Sequence, residues 1–203
     1  MIELYAISDD AAPPAPPLRA LSCDGLTAFV GPAEVADVTP DVLWRHEEVV
    51  ESLMEQRDLL PVRFGTVMSD ETAAIRAITE RREQLEAALA RVRGAVELAV
   101  RVARADAKEP PREDPRSGHA YMRAKAGEQR AAQALNEPLS AMARESLVYS
   151  GPELLRAAYL VERRAVEDFV GAVRRLQASH PELRILCTGP WPPYSFVETG
   201  GPQ

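Results

Sequence analysis

The chain is short of aromatic residues, of cysteine and histidine, and of lysine, and each shortage narrows what it can do. Phe, Trp and Tyr make up 5% of its 203 residues, which leaves no stacking platform of the kind that reads RNA bases. A net charge of −7 points the same way, because phosphate binding draws on a surplus of Lys and Arg. No nucleic-acid partner is expected. Lys108 and Lys125 are the only lysines; the skew to Arg, with abundant Ala and Pro, reads as the stamp of a GC-rich genome, although Arg also pairs well with carboxylates. The longest apolar runs are a few residues, against about 20 needed to cross a bilayer, so no membrane partner is expected either. The amino terminus, MIELYAISDD, lacks the basic and apolar regions of a secretory signal. The expected compartment is the cytosol, where Cys23 and Cys187 would be free thiols.

Catalytic and cofactor motifs are missing too. His46, His119 and His180 stand outside any HExxH or CxxC setting, with no second His or Cys spaced to complete a metal site. His46, followed by Glu47 and Glu48, reads as a surface or boundary histidine rather than a metal or acid–base centre. No GxxxxGK[ST], GxGxxG or GxSxG occurs, and Ser150-Gly151 is better read as a turn. Cys187 lies beside Gly189-Pro190 near a strand end, a place that suits a nucleophile, but it alternates with Leu183 and Ile185 like a core thiol. Catalytic residues, metal ligands and cofactors are therefore all assigned as none.

What is present is an ordinary balance for a folded domain, 46% hydrophobic and 27% charged. Ile2–Ile7 reads as a strand and the proline-bearing Asp9–Pro17 as a loop. Leu18–Cys23 and Leu26–Gly31 flank Asp24-Gly25, a hairpin turn dipeptide. Thr39-Pro40 opens a helix as N-cap and first-turn proline, with Leu43, Val49, Val50, Leu53 and Met54 on one face. Pro61–Met68 follows as a strand with Gly65 as a bulge. Ser69 or Asp70 caps a helix of about five turns through Ile75, Ile78, Leu85, Leu89 and Val92. That stripe is either a helix-pairing seam or the face of a helix packed on its own sheet; Arg82 at one apolar position favours the second.

From Gly94 a second unit begins. Val96, Leu98, Val100 and Val102 alternate as a half-buried strand, and Lys108–Arg116 is a charged surface loop. A helix starts at Ser117 or Gly118 and is kinked or ended by Pro138. Strands at Leu147–Tyr149 and Leu154–Val161, a helix over Glu162–Ser179 and a last strand through Cys187 complete the order βαββαβ, that of a ferredoxin-like split βαβ. The predicted fold is α+β with two small domains. Residues 1–93 form an N-terminal α+β unit, 94–188 the ferredoxin-like domain, and 189–203 a Pro/aromatic tail docking on the domains.

Two segments are more individual. Leu59-Leu60-Pro61-Val62-Arg63-Phe64-Gly65-Thr66-Val67 and Thr188-Gly189-Pro190-Trp191-Pro192-Pro193-Tyr194-Ser195-Phe196-Val197 resemble the L-P-x-R-F-G-T-V and T-G-P-W-P-P-Y-S-F-V signatures of the GvpL/GvpF family. His46 with Val49-Val50, the strand Val96–Val102, Gly118 with Tyr121 and Lys125, and Ala158–Val161 occupy the family's order, so the resemblance spans nearly the whole chain. Met68, where an aromatic is frequent, and the Pro-rich first loop depart from it. The resemblance implies a two-domain α+β fold and a non-enzymatic role as a minor constituent or assembly factor of gas vesicles. It further implies contact with the small, very hydrophobic shell protein GvpA and with other gas vesicle accessory proteins. Arg63, Phe64, Trp191, Tyr194 and Phe196 are the partner-binding or domain-interface candidates. Prolines stiffen the tail and its aromatics offer large contact area with few rotors; they either pin the two domains or meet a partner. The competing expectation is a small-molecule sensor or enzyme, since a ferredoxin-like fold does not fix function.

Overall fold

The computed structural model describes residues 1–33, 39–105 and 118–197, the side chains of 118–125 excepted. The expected loop Lys108–Arg116 lies outside the described residues. The chain forms two compact units, Met1–Ala95 with Trp191–Gln203, and Val96–Pro190.

The first unit is built on β1 (Ile2–Ser8), apolar at nearly every position because it is the inner strand of a mixed-length sheet. One edge of β1 takes the hairpin of β2 (Arg19–Cys23) and β3 (Leu26–Pro32). Asp24 at φ 50° and Gly25 at φ 90° supply the two positive φ values that a tight turn needs. Helix α1 (Pro40–Gln56) starts where Thr39 Oγ1 accepts from the Val42 amide at 3.4 Å. Its buried stripe is His46, Val50, Leu53 and Met54. Leu43, expected on that stripe, is 43% exposed, because it lies in the opening turn, before His46, where the buried stripe begins.

The expected strand Pro61–Met68 is interrupted. β4 (Leu60–Pro61) and β5 (Val67–Met68) pair with two stretches of the same edge of β1, and the residues between them arch away. Two helices then replace the single long one foreseen, α2 (Glu71–Thr79) and α3 (Arg82–Val92). Asp70 caps α2 through the Ala73 amide at 2.8 Å. An unbroken helix would have turned Arg82 toward the apolar side. The break at Glu80-Arg81 leaves Arg82 to pair with Asp24 and Glu86, while Leu85, Leu89 and Val92 stay buried. With α2 lying on β2 and β3 and α3 on β4, the stripe is an intramolecular packing face. Arg57, 7% exposed, lies 4.6 Å over the Phe29 ring and donates to the Ala12 carbonyl at 2.8 Å, which ties down the proline-bearing first loop.

The second unit runs β6 (Ala95–Arg104), α4 (Gly118–Ser140), β7 (Glu145–Val148), β8 (Leu155–Glu162), α5 (Val166–Ser179) and β9 (Leu183–Trp191). Its sheet order is β7-β8-β6-β9, the ferredoxin-like arrangement. Leu98, Val100 and Val102 from β6 meet Leu135 and Leu139 of α4, Ala157, Tyr159 and Val161 of β8, and Phe169 and Val173 of α5. Pro138 sits in the last turn of α4 and the helix stops two residues later, the second of the two expected effects. The Tyr159 hydroxyl, inside this core, donates to Asn136 Oδ1 at 2.6 Å, and burial raises the phenol well above its ordinary range. Cys23 and Cys187 are both free thiols. Burial pushes the Cys187 thiol up, as a core position does and a nucleophile's setting does not.

Candidate functional site

The first signature folds into an arch stapled from behind by a buried polar hub. Strand geometry continues past β4 for one bond, Val62 N–H to the Tyr5 carbonyl at 2.9 Å, and resumes where Leu4 N–H reaches the Thr66 carbonyl at 3.0 Å. Between them the chain turns on Gly65 at φ +81°, and the Arg63 carbonyl accepts from the Thr66 amide at 3.3 Å and hydroxyl at 2.8 Å. Beneath the arch lies His46, 2% exposed. Its Nδ1 is 2.9 Å from Glu3 Oε1 and its Nε2 is 2.9 Å from the Val62 carbonyl. Glu3 Oε1 also accepts from the Gly65 amide at 3.4 Å. The carbonyl can only accept, so Nε2 carries a hydrogen, and a further proton must lie between Nδ1 and the carboxylate. Tyr5 stacks on the imidazole at 4.8 Å and Phe64 meets it edge-on at 5.5 Å.

His46 is thus a structural hub rather than the surface or boundary histidine expected from its neighbours Glu47 and Glu48. Its spacing with Val50, Leu53 and Arg57 was the signal that puts it on the buried side. Glu3 and Tyr5 were not foreseen as parts of the site; Glu3, the single charge in an otherwise apolar strand, was the trace they left. Gly65→Ala gives a direct measure of the arch. A Cβ there meets nothing within 4 Å, so the cost is left-handed backbone alone, about 1 kcal/mol by chemical denaturation.

The second signature descends from β9 into a short 3-10 turn, Tyr194–Phe196, held by Tyr194 N–H to the Pro192 carbonyl at 2.7 Å and Phe196 N–H to the Pro193 carbonyl at 3.1 Å. Pro192, Pro193, Phe196 and Val197 are buried, whereas Trp191 is 38% exposed. The Tyr194 ring comes to α1. Burial first, then the carboxylates of Glu47 and Glu51, push its phenol far above the usual range, and the buried hydroxyl makes no well-formed hydrogen bond to the described residues. Of the five candidates, Phe196 is interior, Phe64 and Tyr194 are half-buried, and Arg63 and Trp191 are exposed. Trp44 on α1, 64% exposed, was missed: nothing in its local pattern marks it as outward until the buried stripe of α1 is known.

Among the described residues no cluster of three or more His, Cys, Asp or Glu could hold a metal ion. Two surface hollows, about 240 Å³ beside His180 and about 250 Å³ beside the Pro14–Leu18 loop, are smaller than the roughly 300–1,000 Å³ of small-molecule sites. No helix among the described residues is long and apolar enough to cross a membrane.

Comparison with known proteins accounts for both signatures. The family model described as gas vesicle synthesis protein GvpL/GvpF matches residues 4–147 and 119–198. Gas vesicle protein F2 of Halobacterium salinarum is 26% identical over 97% of this chain and 87% of its own length. Gas vesicle protein L of a Streptomyces species is 31% identical over 81% of this chain and 71% of its own. The crystal structure of GvpF from Microcystis aeruginosa shares the fold with a TM-score of 0.81 at 21% identity, covering 96% of this chain and 98% of that one. GvpF from an Anabaena species does so at 0.83 and 20%, covering 98% and 97%. A match that takes in both signatures and nearly everything between them places the chain in the GvpL/GvpF family of gas vesicle synthesis proteins.

Proposed function

We propose that the chain serves gas vesicle formation through contacts rather than catalysis. The shell protein GvpA and other gas vesicle accessory proteins are its partners, and the exposed members of the two signatures make the contact with GvpA. The observation that supports this reading is the split inside each signature. Pro61 and Val62 are buried and Arg63 is exposed; Pro192, Pro193 and Phe196 are buried and Trp191 is exposed. Buried neighbours fix the backbone course, so the exposed side chains lose little freedom on docking. Trp and Arg are also the types that dominate binding energy where proteins meet.

A pull-down of GvpA on the immobilised chain tests the reading. Wild type should retain GvpA, and Trp191→Ala should reduce retention about ten-fold or more while circular dichroism stays unchanged. Arg63→Ala should reduce it by a smaller factor. No retention by the wild type, or full retention by both variants, would sink it.

A further inference from the structure

Helix α1 carries a second stripe, exposed at Asp41, Trp44, Glu48 and Glu55 and half-buried at Glu51, which the Tyr194 ring approaches. Asp41, Trp44, Glu48, Glu51 and Glu55 follow one another at intervals of three and four, so they share one face, about 21 Å long at 1.5 Å per residue. It lies opposite the stripe of His46, Val50 and Leu53 that packs inward. The helix holds five carboxylates against a single arginine, Arg45, which lies within pairing distance of Asp41 and Glu48 along the helix and leaves the face net negative. Burial and the like charges of Glu47, Glu48 and Glu55 push the Glu51 carboxyl up, a sign that the acids crowd one another. Among them stands Trp44, 64% exposed, a large apolar side chain that gains by leaving water.

We propose that this face of α1 docks a basic amphipathic helix of a partner protein, with lysines or arginines opposite Glu48, Glu51 and Glu55 and an apolar residue over Trp44. Charge complementarity sets the sign of the partner. The repeat sets its shape: carboxylates recurring about every 5.4 Å match the turn of a helix, whereas same-face residues of a strand recur at about 6.8 Å. Nucleic acid and anionic membrane are excluded by the same charge. The proposal goes beyond the contact inferred above and shares none of its residues, so either can fail alone.

The probe is a labelled 14-residue Lys/Leu peptide with lysines at intervals of three and four, read by fluorescence anisotropy against the full chain. A scramble of the same composition is the control. The amphipathic peptide should bind about ten-fold more tightly than the scramble and lose affinity with added salt. Trp44→Ala, and separately the double change Glu48→Gln, Glu55→Gln at fully exposed positions, should each weaken it about ten-fold with unchanged helicity. Equal binding of the scramble, indifference to both variants, or no binding overturns the proposal. So does a concentration-dependent dimer of the chain alone that Trp44→Ala dissolves, which would make a second copy the occupant.

Discussion

Replacing Glu3 with alanine is expected to lower stability by about 3–5 kcal/mol. The carboxylate is buried against His46 Nδ1 at 2.9 Å, with both side chains nearly sealed from water. Removing it leaves Nδ1 facing a void and withdraws the acceptor of the Gly65 amide at the crown of the arch. An uncompensated buried polar group costs far more than the pair contributes in the intact protein. His46→Ala should cost a similar amount, since it strands the carboxylate and empties the space that Tyr5 and Phe64 enclose. The double variant should then lose clearly less than the sum of the two, a coupling that a double-mutant cycle in urea reads directly. Losses under about 1 kcal/mol for both single variants would mean that the hub is dispensable and that strand pairing alone holds the arch.

That hub also marks where sequence reasoning stopped. Asp24-Gly25, the Thr39-Pro40 cap and the βαββαβ order were legible because each depends on chemistry within a few residues, or on a period. The fold class follows from them, and the two GvpL/GvpF signatures supplied the family. Glu3 and His46 are 43 residues apart, and no periodicity couples a strand residue to a helix residue at that separation. The split of Pro61–Met68 around an arch escaped notice because Gly65 announces a bend without stating its size. At Arg82 the conflict was visible as a charge in an apolar stripe, yet only tertiary packing decides between a narrowed face and a broken helix. Trp44 drew no expectation at all. The expected apolar face of α1 left Trp44 off it without assigning it a place, and the exposed position of its large side chain appears only in the fold.

Phe196→Ala should cost about 3–5 kcal/mol, whereas Trp191→Ala, five residues earlier in the same signature, should cost about 1 kcal/mol or less. Phe196 is 1% exposed and Trp191 38%, so the first leaves a cavity and the second mainly uncovers surface. The tail Trp191–Val197 belongs to the first unit although the chain reaches it only after completing the second. Among the described residues its anchorage includes the buried Phe196 and Val197, two buried prolines, and the Tyr194 ring beside Glu47 and Glu51. Proline limits the states open to the released tail, which lowers the entropy cost of docking it, but it cannot replace the apolar area that Phe196 hides. Limited proteolysis distinguishes the two changes more sharply than a melting curve. The Phe196 variant should be cut within the tail at protease levels that leave wild type and the Trp191 variant whole, because opening a segment depends on its local stability. Equal resistance of all three would place the anchorage elsewhere. Greater sensitivity of the Trp191 variant would reverse the roles of the two aromatics, making the tryptophan the structural member and removing the exposed contact on which GvpA binding is proposed to rest.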